Sequence, residues 1–433
     1  MIRIPFLLFA FFVNATCSAQ SPHTLLWTGD KANAKIALLK MKEDPSWIHR
    51  LDGDKRTPLH IAARFGYVDV VSWLLENGAD VNAEAYNKFT PLHLTTNPGI
   101  AELILEKKPD MGLRSAHGQT PLQRAIAELR HLRSIDEDVP DVKKDIEHLE
   151  TLVGLYVDFM GENIDLVSAI RLGHSDQVSR MLMQTPSKAD GNAYGRTPLR
   201  EAAAWGQLEI CKLLVNKYRA KVNDFERGQG EPIIISALPH PEIVRLLIEN
   251  GADLETRITS PSGRGDIGDE ATALHFAAAY GHPESIKYLI DAGVPIFVST
   301  RDVLSGTNFD QMAFDVAIQF GRLDNLKALL GNNKYGDALR AKPKFLDRAI
   351  LYVVGGDSDP SEMLVVLRKN GANLRAVDDA GNTPLHIAAK ANSKSAIRYL
   401  LRHGCEQTRN KDKQFPYELT TDPEVKSLLL QSG

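Results

Sequence analysis

Cysteine is scarce in this 433-residue chain, which has only Cys17, Cys211 and Cys405. So few thiols exclude a disulfide-stapled scaffold or a thiolate metal site. No C-x-x-C, H-E-x-x-H, G-x-S-x-G or Walker phosphate loop occurs, so the common catalytic patterns are missing. Neither sign of charge dominates: 51 Lys and Arg stand against 55 Asp and Glu, a formal net charge of −4. That balance, with no basic cluster, lacks the electrostatic footprint of a nucleic-acid binder. Beyond the N-terminus no apolar run approaches the roughly 20 residues that a membrane-spanning helix needs. The only Asn-X-Ser/Thr sequon is Asn14-Ala15-Thr16.

The first 19 residues stand apart. Arg3 supplies a short positive start, Ile4 to Val13 an apolar core, and Cys17-Ser18-Ala19 small residues before Gln20. This is the pattern of a secretory signal peptide cleaved after Ala19. Lipidation at Cys17 is the rival reading, disfavoured because Asn14-Ala15-Thr16 does not resemble the usual Leu-Ala-Gly before such a cysteine. Cleavage would leave 50 basic and 55 acidic side chains, a net charge of −5. With no sequon left, the expected setting is the bacterial periplasm or the medium, and the protein is expected to be exported.

What the chain does have is a repeat. Thr57-Pro58-Leu59-His60 returns as Thr90-Pro91-Leu92-His93 and again as Thr383-Pro384-Leu385-His386. Weaker copies are Thr120-Pro121-Leu122, Thr197-Pro198-Leu199 and Thr272-Ala273-Leu274-His275. Thr suits a helix N-cap, its hydroxyl accepting a backbone amide. Pro suits the first helical position, where its missing N–H is no loss. After Thr57 come Ala62-Ala63, Gly66, the apolar Val70, Val71, Leu74, Leu75, and then Gly78. Paired alanines let two helices approach, glycines end each helix in the left-handed conformation, and apolar residues at helical spacing mark a buried stripe. The same string recurs at Ala202-Ala203, Gly206, Leu213-Leu214, and at Ala388-Ala389, Leu400-Leu401, Gly404.

In period and tetrapeptide the chain resembles an ankyrin-repeat protein. The resemblance implies an all-α solenoid: helix pairs stacked side by side and joined by hairpin-like loops. Residues 20–433 are expected to form a single array of about twelve repeats of roughly 33 residues. A degenerate first repeat covers 22–52, with Ile36, Leu38 and Leu39 on its second helix. An insertion lengthens the helices near 127–160, around the acidic turn 136–140. Long loops fall near 256–270, 297–309 and 355–360. The final repeat, from about 413, is short. Cys211 and Cys405 would lie about five layers apart, each layer roughly a 10 Å helix diameter thick, so two free thiols are expected.

The resemblance also assigns roles. His60, His93, His275 and His386 would be structural, bonding within the turn and to the next repeat, too far apart to share a metal ion. Gly263 to Gly268 matches G-x-G-x-x-G but lies in an inserted loop, outside a βαβ unit. Arg264-Gly265-Asp266 in the same loop spells a short adhesion tripeptide that chance readily supplies. The acidic run 136–141 lacks the spacing and glycine of a calcium loop.

Above this background stand the aromatics. Phe65, Trp205, Tyr280 and Phe320 fall eight residues after the Thr position, a place that faces the concave groove of ankyrin folds. Tyr86, Phe89 and Tyr194 add loop-tip positions. Exposed aromatics dominate protein interfaces. The expected function is therefore a non-catalytic, monomeric module that presents a groove to a protein partner outside the cytoplasm, with no cofactor, no metal and no nucleic acid. Two rivals remain: an enzyme whose site lies in 127–160 or 256–270, and an envelope scaffold.

Overall fold

The computed structural model describes residues 20–133, 140–191, 197–223, 232–258, 267, 270–300, 312–356 and 359–431. The N-terminal 19 residues, the acidic turn 134–139 and Tyr194 lie outside these. So do most of loop 256–270, loop 297–309 from residue 301 on, and residues 357–358 of loop 355–360. The chain divides into two units, residues 1–181 and 182–433.

Each unit is a two-layer stack of helices. In the first, Pro58–Phe65 packs on Pro91–Leu94, which packs on Pro121–Arg133, which packs on Leu166–Leu172. The second helices form their own row: Lys31–Glu43, Val68–Glu76, Pro98–Leu105 and Pro140–Met160. In the second unit the first-helix row runs Pro198–Ala204, Ile233–Ala237, Ala273–Tyr280, Ala313–Gln319, Pro343–Val353 and Pro384–Lys390. Leu208–Lys212, Pro241–Glu249, Pro283–Asp291, Leu323–Gly331, Ser361–Lys369 and Lys394–Arg402 stack behind it. The architecture is an all-α repeat solenoid. Hairpin-like loops tie neighbours together through the main chain: the Tyr86 amide donates to the Asp54 carbonyl at 2.8 Å, and the Ala116 amide to Asn87 at 2.8 Å.

The Thr-Pro-Leu-His string explains why first helices start where they do. At Thr120 and Thr197 the hydroxyl accepts the amide three residues on, at 3.3 Å. Where histidine follows, its Nδ1 accepts the N-cap amide, as at Thr57 and Thr90 at 3.1 Å, with the threonine hydroxyl 2.9 Å away. An Nδ1 that accepts carries no proton, so Nε2 carries it and donates outward. His60 donates to the Phe89 carbonyl at 2.9 Å, His93 to Gln119 at 2.9 Å and His386 to Gln414 at 3.0 Å, each in the loop of the following repeat. Other residues take over the inward half of this role. Gln123 accepts from the Thr120 amide and donates to the Asp165 carboxylate at 2.7 Å. Asp315 accepts the Met312 amide and pairs with Arg348 of the next repeat.

A neutral, buried histidine makes stability depend on pH. Burial holds His60 below its usual value and brings His93 down to about 4, with the charge of Arg124 adding to the effect at His93. A depressed histidine pKa means the unfolded chain binds the proton more readily, so this contribution is complete above the ordinary value of 6.5 and is lost as pH falls toward 4. The slope is at most about 1.4 kcal/mol per pH unit for each such histidine. Urea midpoints should fall through this window. His93→Gln, which copies Gln123, should flatten the fall, and an unchanged pH slope in that variant would refute the assignment.

Ile36, Leu38 and Leu39 lie on the second helix of the first repeat, Lys31–Glu43, whose buried positions are Ala34, Ala37 and Met41. Two sequence expectations need correction. Leu213 is only half-buried: the stripe of this helix runs over Ile210, Cys211, Leu214 and Val215, the same places as Val70, Val71, Leu74 and Leu75, and Leu213 stands beside it where Trp73 does. Lastly, Asn333–Arg340 is an additional helix between two repeats, where the pattern called for a hairpin loop. It is held by a wholly buried Tyr335 and Leu339. Cys211 and Cys405 are both buried free thiols, and burial pushes Cys211 up to about 12, which makes it unreactive.

Candidate functional site

The ends of the first helices and the loop tips carry the chemistry that is left over after folding. Glycine makes the abrupt end possible. Gly206, at φ +74°, follows Trp205, and a Cβ built there would fall 2.7 Å from the His240 ring. Trp205 closes Pro198–Ala204 and is half-buried. Tyr280 ends Ala273–Tyr280 with 37% of its surface exposed, and its ring meets Phe320 edge-on at 5.1 Å. Tyr194 lies outside the described residues.

In the first unit, the half-buried Phe65 sits edge-on to Trp27 at 5.3 Å and stacks on Tyr67 at 6.1 Å. The Trp27 ring carries the Arg56 guanidinium at 4.2 Å, and its Nε1 donates to Asp52 at 3.3 Å. Tyr86 is the most open of the set, 74% exposed at a loop tip. Phe89 is half-buried, ringed by His93, His117 and the Arg124 guanidinium at 4.6 Å. The structure thus brings Phe65 together with Trp27, and Tyr280 with Phe320. It leaves Tyr86 standing alone and places Phe89 under an arginine.

The sequence reading missed Tyr352. This residue is 53% exposed near the end of Pro343–Val353 and borders a groove of about 540 Å³ with Ile318, Val353, Pro360 and Met363. Counting eight residues from the N-cap fails here because this first helix has 11 residues against seven in Ala313–Gln319. Gly355-Gly356 marks the true end and was the available signal.

The inserted region has a packing role in its described part. Pro140–Met160, 21 residues long, lies against Pro98–Leu105 and Pro121–Arg133 and buries Leu149, Leu152 and Tyr156. Arg133 and Glu150 form a surface ion pair at 2.5 Å. Among the described residues no group of three or more His, Cys, Asp or Glu could hold a metal ion. No described helix is long and apolar enough to cross a membrane.

Comparison with known families agrees with this geometry. A model of the ankyrin repeat matches residues 54–86, a three-copy ankyrin model matches 145–226, 166–258 and 233–339, and a many-copy model matches 346–401. Together they cover more than half of the sequence. The chain belongs to the ankyrin-repeat family. It is 20% identical to the human transient receptor potential cation channel subfamily A member 1 over 89% of its own length, which is 34% of the channel. The Caenorhabditis elegans homolog of that channel is 26% identical over 66% of this chain and 16% of the relative. The serine/threonine-protein kinase VIK of Arabidopsis thaliana is 48% identical, but over only 16% of each chain. This ankyrin chain therefore spans between 16% and 34% of the length of these relatives. They come from animals and a plant, so the bacterial origin expected from the sequence gains no support from them.

Proposed function

We propose that this ankyrin-repeat chain is a non-catalytic module that binds another protein on the face that the ends of the first helices and the loop tips form within a unit. The observation that carries this reading is the set of partly exposed aromatics on that face: Phe65, Tyr86 and Phe89 in one unit, and Trp205, Tyr280, Phe320 and Tyr352 in the other. Large aromatic rings held by short helices offer contact area at little ordering cost. Export through the N-terminal pattern is part of the proposal. It places the partner outside the cytoplasm, with the mature chain acting as a monomer that begins at or near Gln20. An intact Met1 on the isolated protein would remove that part alone.

The test uses a protein binder selected against the full chain. Trp205→Ala should weaken binding by about 2 kcal/mol or more, the scale of an interface hot spot, with little change in melting temperature. A strong drop in melting temperature with unaltered affinity would show that Trp205 only covers its own helix.

A further inference from the structure

Gln20 opens the described part of the chain, and its carbonyl accepts the half-buried Lys40 ammonium at 2.7 Å. The next residue, Ser21, caps Pro22–Leu26: its hydroxyl accepts the Thr24 amide at 3.2 Å and its carbonyl the Leu25 amide at 3.1 Å. That helix packs on Pro58–Phe65 and wholly buries Leu25 and Leu26. The main chain is therefore fixed from the Gln20 carbonyl onward. The Gln20 side-chain amide, by contrast, makes no hydrogen bond among the described residues.

Cleavage after Ala19 turns the Gln20 nitrogen into an α-amine. Within one residue that nitrogen lies no more than about 3.6 Å from its own carbonyl oxygen, which holds it within about 6.5 Å of the Lys40 ammonium. Glu43, one turn along the Lys40 helix, is exposed and forms no ion pair among the described residues, and Asp44 is taken by Arg50 at 3.6 Å. A like charge at this range disfavours the protonated amine and leaves more of it nucleophilic at neutral pH. Its target is close at hand. The amine and the amide carbon of the same side chain close a five-membered ring, an intramolecular step favoured by proximity.

We propose that Gln20 is a modification site, at which the exported chain closes its N-terminus as pyroglutamate beside Lys40. The α-amine nitrogen attacks Cδ of the side-chain amide. The N–Cδ bond forms, the Cδ–Nε2 bond breaks, and Nε2 leaves as ammonia with the proton that the amine gives up. No oxidant or second reactant is needed. This rests on the export reading above and not on the partner-binding face. The product is an uncharged lactam, so the like charge facing Lys40 is gone, while the main-chain carbonyl stays in place to accept from it. An aminopeptidase then finds no free amine, and the Ser21 cap behind the ring is kept.

Intact-mass spectrometry and N-terminal sequencing test this on the full chain, expressed with its own first 19 residues and recovered after export. The expected mass is that of a chain starting at Gln20 less one ammonia. Stepwise sequencing should be blocked, and pyroglutamyl aminopeptidase should release the block so that reading starts at Ser21. A second sample gives the rate: the same mature chain, freed in vitro by a protease that cuts directly before Gln20. At pH 7 it should cyclise about threefold faster than its Lys40→Gln variant, the effect of one like charge at that distance through water. Glutamine keeps a donor for the carbonyl without the charge, and Lys40→Arg should match the wild type. A chain that starts at Gln20 but keeps its ammonia, in the exported sample and after long incubation of the freed one, overturns the proposal and leaves export standing. A start at Met1, or at any residue other than Gln20, overturns it together with the cleavage position. Equal rates with and without the Lys40 charge overturn the part given to Lys40.

Discussion

Replacing Arg348 with alanine should cost about 2–3 kcal/mol well above pH 6. That is below the 3–5 kcal/mol of a fully buried pair, because 41% of the Arg348 side chain keeps contact with water. Asp315 sits where other repeats place histidine and accepts the Met312 amide. Burial outweighs the pull of Arg348 and raises the carboxyl to about 6. A carboxyl raised on folding contributes stability that is complete below its unfolded value and lost as pH rises through about 6. Removing Arg348 raises it further, so the charged form alone is penalised. The difference between wild type and variant should therefore shrink on acidification. Comparing urea midpoints of the two proteins at the same pH cancels the opposite trend of the histidines. A difference that does not change with pH would show that Arg348 acts by packing alone.

The second large effect concerns Tyr156. Its hydroxyl donates to the Leu92 carbonyl at 3.0 Å, 64 residues away in sequence, and its side chain is wholly buried. Leu92 belongs to the one-turn helix, which ends too soon to continue its own hydrogen-bond ladder. The inserted helix supplies the donor instead. Tyr156→Ala should cost about 3–5 kcal/mol, as deletion of a buried aromatic ring does. Tyr156→Phe keeps the ring and leaves the carbonyl without its donor, at about 1–3 kcal/mol. Thermal and urea denaturation of both variants separate the two contributions. Equal, small losses would mean that the long helix is not needed to complete the short one.

These two residues show where the sequence was readable and where it was not. The Thr-Pro-Leu-His string, the paired alanines and the left-handed glycines act locally, so helix starts, ends and the family could be read from spacing alone. Asp315 with Arg348, Gln123 with Asp165 and Tyr156 with Leu92 join residues 33, 42 and 64 positions apart, and no local pattern announces them. Leu213 was placed on the buried stripe together with Leu214, but it occupies the place that the half-buried Trp73 holds in its own repeat, beside the stripe and not on it. The aromatic face was partly legible: Phe65, Trp205, Tyr280 and Phe320 all close first helices, but Tyr352 escaped a fixed count because its helix is longer. Trp27 and Arg124 were missed because their meaning arises only from the rings and charges beside them.

Hydrogen–deuterium exchange of the full chain, free and with its selected binder, tests the central claim most directly. Protection should appear at the ends of the first helices and at the loop tips, around Phe65 and Tyr86 to Phe89 in one unit, or around Trp205, Tyr280, Phe320 and Tyr352 in the other. The second helices, such as Val68–Glu76 and Pro241–Glu249, should exchange as before. Protection confined to the second helices would place the interface on the opposite face and contradict the account.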